Sequence, residues 1–170
     1  MADRELTGIL LVGGSSSRFG SPKALARLEG ETLAERAWRL LGEACDERIA
    51  VGRSDGLPFD TLEDPGTGPV AAIAAGLRET THDLAVVVPV DMPLLDGDAL
   101  RRLADACRDA AVAQHGPLPC AVARRQLQAF ETSERRLRAV LDGLDTVRIE
   151  LEERLLANVN TRADLDRLAE

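Results

Sequence analysis

Arg18, Lys23 and Arg27 are the only charged residues between positions 7 and 28, in a chain whose totals are 29 Asp+Glu against 21 Lys+Arg. The same stretch holds Gly13, Gly14, Ser15, Ser16, Ser17 and Gly20. Such a glycine- and serine-rich loop lets backbone N–H groups come close to a ligand, and bases beside it complement a polyanion. A solvated surface loop that lacks acids has the same composition. Asp91 is the second candidate, standing just after the apolar run Leu84-Ala85-Val86-Val87-Val88-Pro89-Val90. A carboxylate there could hold Mg²⁺, which takes oxygen ligands and is usually bound by one or two carboxylates beside phosphates. An Asp before Met92-Pro93 is equally the residue of a turn or a cap.

These residues need a frame, and the hydrophobic pattern supplies one. Gly8-Ile9-Leu10-Leu11-Val12 is a short continuous apolar run stopped by two glycines, as in a strand buried on both faces. Thr32 can cap a helix with apolar residues at Leu33, Ala37, Leu40, Leu41 and Ala44. Arg48-Ile49-Ala50-Val51 reads as a strand, and residues 59–63 as a further short one. Pro69 sits at the preferred first position of a helix that is apolar on all sides over residues 70–77. Residues 84–88 form the clearest strand. Asp98 is placed to cap the following helix, whose inner face is Leu100, Leu103, Ala104, Cys107 and Ala110. Weak strands at 111–113 and 120–123 flank the turn His115-Gly116-Pro117, a helix is expected over 134–143, and a strand over 147–149. Thr161-x-x-Asp164 opens a terminal helix as a capping box. Strands alternating with helices predict an α/β domain with a largely parallel sheet and helices on both faces. Ligands of such sheets bind outside the carboxyl ends of the strands, where both the Gly/Ser loop and Asp91 fall.

Composition narrows the function. At 170 residues, 45% hydrophobic and 29% charged, the chain is long enough for one domain with a full core. A formal net charge of −8 and the absence of tyrosine argue against a nucleic-acid partner, which wants a basic footprint and stacking rings. The longest apolar runs, 84–90 and 70–75, are far short of the roughly 20 residues a bilayer needs, so no membrane is expected. Cys45, Cys107 and Cys120 are widely spaced and form no C-x-x-C. They read as reduced thiols, and with no basic start of a signal peptide the expectation is a cytoplasmic protein. His82 and His115 have no partner at triad or metal spacing.

The loop is neither a P-loop nor a G-x-G-x-x-G dinucleotide fingerprint. Leu11-Val12-Gly13-Gly14-Ser15-Ser16-Ser17-Arg18-Phe19-Gly20-Ser21-Pro22-Lys23-Ala24-Leu25 resembles the signature L-A-G-G-x-S-x-R-M-G-x-x-K-x-L of the MobA-like nucleotidyltransferases. Asp64-Pro65-Gly66-Thr67-Gly68-Pro69-Val70-Ala71-Ala72-Ile73-Ala74-Ala75-Gly76-Leu77 is similar to that family's G-P-L-A-G-I-x-A-G-L segment. Val88-Pro89-Val90-Asp91-Met92-Pro93 resembles its P-C-D-M-P segment, and Asn158-Val159-Asn160-Thr161-Arg162-Ala163-Asp164-Leu165 its N-x-N-T-P-E-D-L motif. Each motif is weak alone, but four in this order span residues 8–165.

The resemblance implies a single three-layer Rossmann-like domain over residues 1–170, with a nucleotide- and metal-binding half (1–95) and an acceptor-binding half (96–170). Paired glycines at Gly13-Gly14 resemble the guanylyltransferases of molybdenum cofactor synthesis. The implied reaction is Mg²⁺-dependent transfer of GMP from GTP to the phosphate of molybdenum–molybdopterin, with release of pyrophosphate. Arg18, Lys23 and Asp91 would be catalytic, and Asp91 would hold the metal. Leu11, Val12, Gly13, Gly14, Ser15, Lys23, Asp64 and Asp91 would contact the nucleotide, Asp64 near the base or ribose. Asn158 and Asn160 would be neutral partners of metal or nucleotide, although either could instead satisfy backbone before the Thr161 cap. No general base is needed, because the attacking phosphate is already ionised. Partner proteins of cofactor delivery are not legible.

This chain departs from the family pattern in four places. Phe19 replaces methionine, and Ser21-Pro22 replaces the frequent acidic residue before the lysine. Gly52 stands where guanine-specific relatives often carry asparagine, and the region 107–138 is short. The basic residues Arg124, Arg125, Arg135, Arg136 and Arg138 could meet an anionic acceptor or form a solvated face with Glu131 and Glu134. The alternatives are a same-fold transferase using CTP or another phosphorylated acceptor, and a nucleotide-binding module without catalysis. A flavodoxin-like signalling domain would need an acidic cluster at the first strand's end, where Gly13-Gly14 stand.

Overall fold

In the computed structural model, the described residues are 4–13, 19–20, 22–53 and 55–170. Every residue of β1 (Thr7–Leu11) is buried, as a strand covered on both faces must be. Its side chains alternate: Leu10 joins one core, Ile9 and Leu11 the other. The same alternation runs along β5 (Leu84–Pro89), where Val86 and Val88 face one core and Ala85 and Val87 the other.

Around these two strands lies a six-stranded sheet with β4 (Glu47–Val51), β6 (Ala110–Ala113), β7 (Cys120–Ala123) and β8 (Thr146–Ile149). The spatial order is β4-β1-β5-β7-β6-β8, and every pairing is parallel except those of β7, which runs against both neighbours. α1 (Leu33–Ala44) and α3 (Gly97–Ala106) cover one face, while α2 (Pro69–Glu79), α4 (Leu127–Phe130) and α5 (Leu137–Asp142) cover the other. α6 (Arg162–Leu168) closes the chain. The result is the three-layer α/β fold with a mostly parallel sheet that the alternating pattern predicts.

Two glycines set how closely the layers approach. A Cβ on Gly76 of α2 would lie 2.9 Å from Ile9 Cγ2, and one on Gly8 would lie 2.7 Å from Leu41 Cδ2 of α1. α2 and α1 therefore rest on opposite faces of β1 at backbone distance.

Several sequence expectations need correction. Asp96, not Asp98, caps α3: its Oδ1 accepts the Ala99 N–H at 2.9 Å, and Asp98 lies in the first turn, where the helix dipole favours an acid. Residues 59–63 form no strand. Only Leu62 bridges to Val51, and Thr61 Oγ1 donates to the Gly52 carbonyl. The helix expected from 134 starts at Leu137, because the Glu134 carboxylate binds the Arg136 N–H and guanidinium and holds that turn out of helix. A small hairpin of β2 (Arg27–Leu28) and β3 (Glu31–Thr32) was not foreseen. Its turn places Glu29 and Gly30 at φ 54° and 85°, and Glu is an unusual residue for that conformation.

Candidate functional site

The carboxyl ends of β1 and β5 lie side by side, with Leu11 opposite Pro89. Beyond them opens a cleft of about 810 Å³ whose lining includes Leu11, Val12, Gly13, Lys23, Asp91 and Asn160. Lys23 opens a 3-10 turn (Lys23–Leu25) held by the Leu25 N–H on the Pro22 carbonyl at 3.0 Å. Pro22 sets the entry into that turn by its fixed φ, and the Lys23 ammonium stands 3.7 Å from Asp91 Oδ2. Two residues far apart in sequence are thus brought to one point.

Asp91 is held from two directions. Its carbonyl accepts the Val159 N–H at 2.8 Å, and Arg36 of α1 donates through Nε to the Pro93 carbonyl at 2.9 Å. Burial pushes the Asp91 carboxyl above its ordinary range, and the Lys23 ammonium pulls it back only in part. Oδ1 is buried and has no hydrogen-bond partner among the described residues. An orphaned carboxylate oxygen at the edge of a cleft is costly, and a bound cation would satisfy it. No group of three or more His, Cys, Asp or Glu could hold a metal among the described residues. One buried carboxylate oxygen at the cleft edge suits a hard ion such as Mg²⁺, which would complete its shell with phosphate and water.

Asp64 Oδ1 accepts the Gly66 N–H at 2.8 Å, which closes a turn, while Oδ2 lies where a Cβ of Gly13 would come within 2.6 Å. The turn role and proximity to the loop are both real. The two asparagines separate: Asn160 lines the cleft, whereas the Asn158 side-chain amide points at the Leu156 carbonyl at 3.4 Å. Arg18, Gly14 and Ser15 lie outside the described residues. Gly52 has φ 141°, and a Cβ there would lie 2.8 Å from the Gly13 nitrogen. The departure at Gly52 thus has a structural reason, because the chain after β4 passes directly against the loop.

Arg53, Asp55, Leu57 and Leu118 also line the cleft and were not singled out from the sequence, and Pro69, expected only as a helix start, lines it too. The one signal for Arg53 and Asp55 was their position after a parallel strand, at the ligand edge. Neither histidine joins the cleft: His115 pairs with Glu153 at 2.7 Å, and His82 lies 3.2 Å from Thr7 Oγ1. A second recess of about 510 Å³ includes Arg4, Cys107, Arg108 and Arg125, where β5 begins. Arg125 is paired there with Asp109 at 2.7 Å and Arg108 with Asp145 at 3.5 Å.

Residues 8–149 match the family model described as the MobA-like NTP transferase domain. The chain belongs to that family. It is a nucleotidyltransferase. A Deinococcus radiodurans protein named "Probable molybdenum cofactor guanylyltransferase" is 33% identical, over 96% of this chain and 94% of its own. A Mycobacterium marinum protein of the same name is 34% identical, over 97% and 96%. Among solved structures, the molybdopterin-guanine dinucleotide biosynthesis protein A of Archaeoglobus fulgidus superposes with a TM-score of 0.80 at 25% identity, covering 95% of both chains. The 2-C-methyl-D-erythritol 4-phosphate cytidylyltransferase of Thermus thermophilus shares the fold, with a TM-score of 0.73 at 17% identity over 95% and 96%. In this MobA-like domain the cleft at the carboxyl ends of β1 and β5 brings Lys23, Asp91 and the Gly13 backbone together.

Proposed function

We propose that the protein transfers GMP from GTP to the terminal phosphate of molybdenum–molybdopterin, forming the guanine dinucleotide cofactor. The observation that carries the siting of the chemistry is the Lys23–Asp91 pair at 3.7 Å at the cleft edge, where Asp91 Oδ1 has no hydrogen-bond partner among the described residues. The names of the curated relatives support the choice of nucleotide and acceptor.

In the transfer, an acceptor phosphate oxygen bonds to the α-phosphorus of GTP as the bond to the β-phosphate breaks and pyrophosphate leaves. Both partners are anionic, so the protein acts chiefly by positioning and by neutralising charge. Lys23 shifts from its carboxylate partner towards the triphosphate, and Arg18 adds a planar fork. The backbone of Leu11, Val12, Gly13, Gly14 and Ser15 meets the nucleotide, where side chains would crowd it. Asp64, against Gly13, reaches the base or ribose. Asp91 would hold Mg²⁺, and Asn160, or Asn158 after a side-chain turn, would be its neutral oxygen partner. Bound Mg²⁺ supplies charge neutralisation on the phosphates. Residues 1–95 carry most of the cleft, and the acceptor meets the half over 96–170, on the side of Leu118. Cys45, Cys107 and Cys120 are all free, which suits a reducing cytoplasm.

Calorimetric titration with GTP, CTP and ATP, each with and without Mg²⁺, tests this. GTP binding that strengthens with Mg²⁺, followed by pyrophosphate release with the pterin acceptor, is the expected result. Preference for CTP would move the product to a cytidylyl dinucleotide and leave the site intact. Binding without pyrophosphate release would mark a module that keeps the nucleotide site and has lost the transfer.

A further inference from the structure

Apart from the two cores that flank the sheet there is a third, small one. It joins Phe19 of the loop, Ala26, Leu28 and Leu33 around the hairpin, Val159, and Leu165 of α6. Phe19 is 4% exposed and Val159 is fully buried. The Arg162 guanidinium also lies over the Phe19 ring, 5.4 Å from its centroid. The Val159 N–H is the group that holds the Asp91 carbonyl at 2.8 Å. Asp164 fixes the next two residues, accepting the Asn160 and Thr161 N–H groups at 2.9 and 2.8 Å.

We infer that this cluster is a positioning unit: Val159 and Leu165 tie the loop at Phe19 to the turn at Asp91, so the terminal segment governs how well a nucleoside triphosphate is held. Its relevance to nucleotide rests on the function proposed above, whereas the mechanical coupling does not. Neither Leu165 nor Phe19 is among the residues lining the cleft, and both are buried in the cluster. Val159 therefore shares a buried cluster with Phe19 while its backbone N–H fixes the carbonyl of the carboxylate turn. Loosening the cluster releases Phe19 and the metal-side carboxylate together, and a misplacement of about 1 Å in such a site can cost roughly a hundredfold in rate. The coupling also accounts for Phe19: an aromatic ring fills the cluster and offers a face to the Arg162 cation.

Hydrogen exchange followed by mass spectrometry on the ligand-free protein is the test, with Leu165→Ala compared with Leu141→Ala in the core beneath α5. Leu165→Ala is expected to speed exchange together in residues 158–168, 19–28 and 88–93, by roughly tenfold or more. Leu141→Ala should lower Tm and leave those three segments coupled as before. Faster exchange confined to 158–168 overturns the inference. Should Leu165→Ala fail to fold, Leu165→Val gives the same ordering with smaller amplitude. In the folded variant, affinity for Mg²⁺ with GTP should drop roughly tenfold, with recovery in Leu165→Met; unchanged affinity beside faster exchange also overturns it. If the wild-type protein binds no nucleotide, the proposed function fails, and the exchange result still decides the coupling.

Discussion

Asp91 is an acid whose burial works against its own ionised form. Its carboxyl sits above the usual range, so the folded protein holds that proton more tightly than the unfolded chain. The contribution to stability is full below the ordinary carboxylate value and is lost as pH rises through the raised one. Asp91→Asn should accordingly leave the ligand-free protein more stable at neutral pH while abolishing transfer. Thermal unfolding of both proteins across that pH range, with no gain for the variant, would contradict the orphaned-carboxylate picture. Lys23→Ala removes the neighbouring ammonium and should lower turnover by roughly 10²–10³-fold in a folded protein. Steady-state kinetics check it, and near-normal turnover would place the chemistry elsewhere. Gly52→Asn imposes both a φ of 141° and a collision 2.8 Å from the Gly13 nitrogen. It should weaken nucleotide binding rather than improve guanine recognition, as titration calorimetry would register.

Elements differ in how far their own residues specify them. α1 carries its start signal locally: Thr32 Oγ1 accepts the Glu35 N–H at 3.1 Å, and Glu35 Oε2 accepts the Thr32 N–H at 2.9 Å. Thr32→Ala should cost about 1 kcal/mol, or roughly 2–4 °C in Tm by calorimetry. The cap of α3 misleads from sequence because Asp96 and Asp98 both suit a helix start, and only the path of the chain after Pro93 decides which carboxylate reaches Ala99. α5 begins late because Glu134 and Arg136 bond locally, a competition that apolar spacing does not reveal. The β2–β3 turn stayed hidden because Glu29 lacks the intrinsic preference for positive φ that Asn or Gly would signal.

At the scale of the whole molecule, the cleft belongs to no single segment. β1, β5, the Lys23 turn and the stretch before α6 each bring one part of it. A ligand that binds only this assembled state stabilises the entire fold. GTP with Mg²⁺ at about 100 times its Kd should add roughly 2.7 kcal/mol, or about 5–10 °C in Tm. Differential scanning fluorimetry should show that shift in the wild-type protein and lose most of it in Lys23→Ala. The Phe19–Val159–Leu165 cluster makes the terminal segment part of this response, although α6 itself is only Arg162–Leu168.

Much was determined by the sequence alone. The continuous apolar runs of β1 and β5, the Thr32 and Thr161 capping boxes and Pro69 at a helix start are local signals, and they define an α/β chain. The motif order further marked Lys23, Asp91 and the loop as the place to look. What only the tertiary structure decided is which of these groups meet. Asn160 reaches the cleft and Asn158 turns to Leu156, although the two stand two positions apart in one motif. Gly52 is dictated by a loop far from it in sequence, and Asp91 is strained by burial that no neighbouring residue reveals. The physical reason is common to all three. Short-range spacing encodes backbone conformation, whereas close approach, desolvation and pairing depend on segments that become neighbours only when the sheet is assembled.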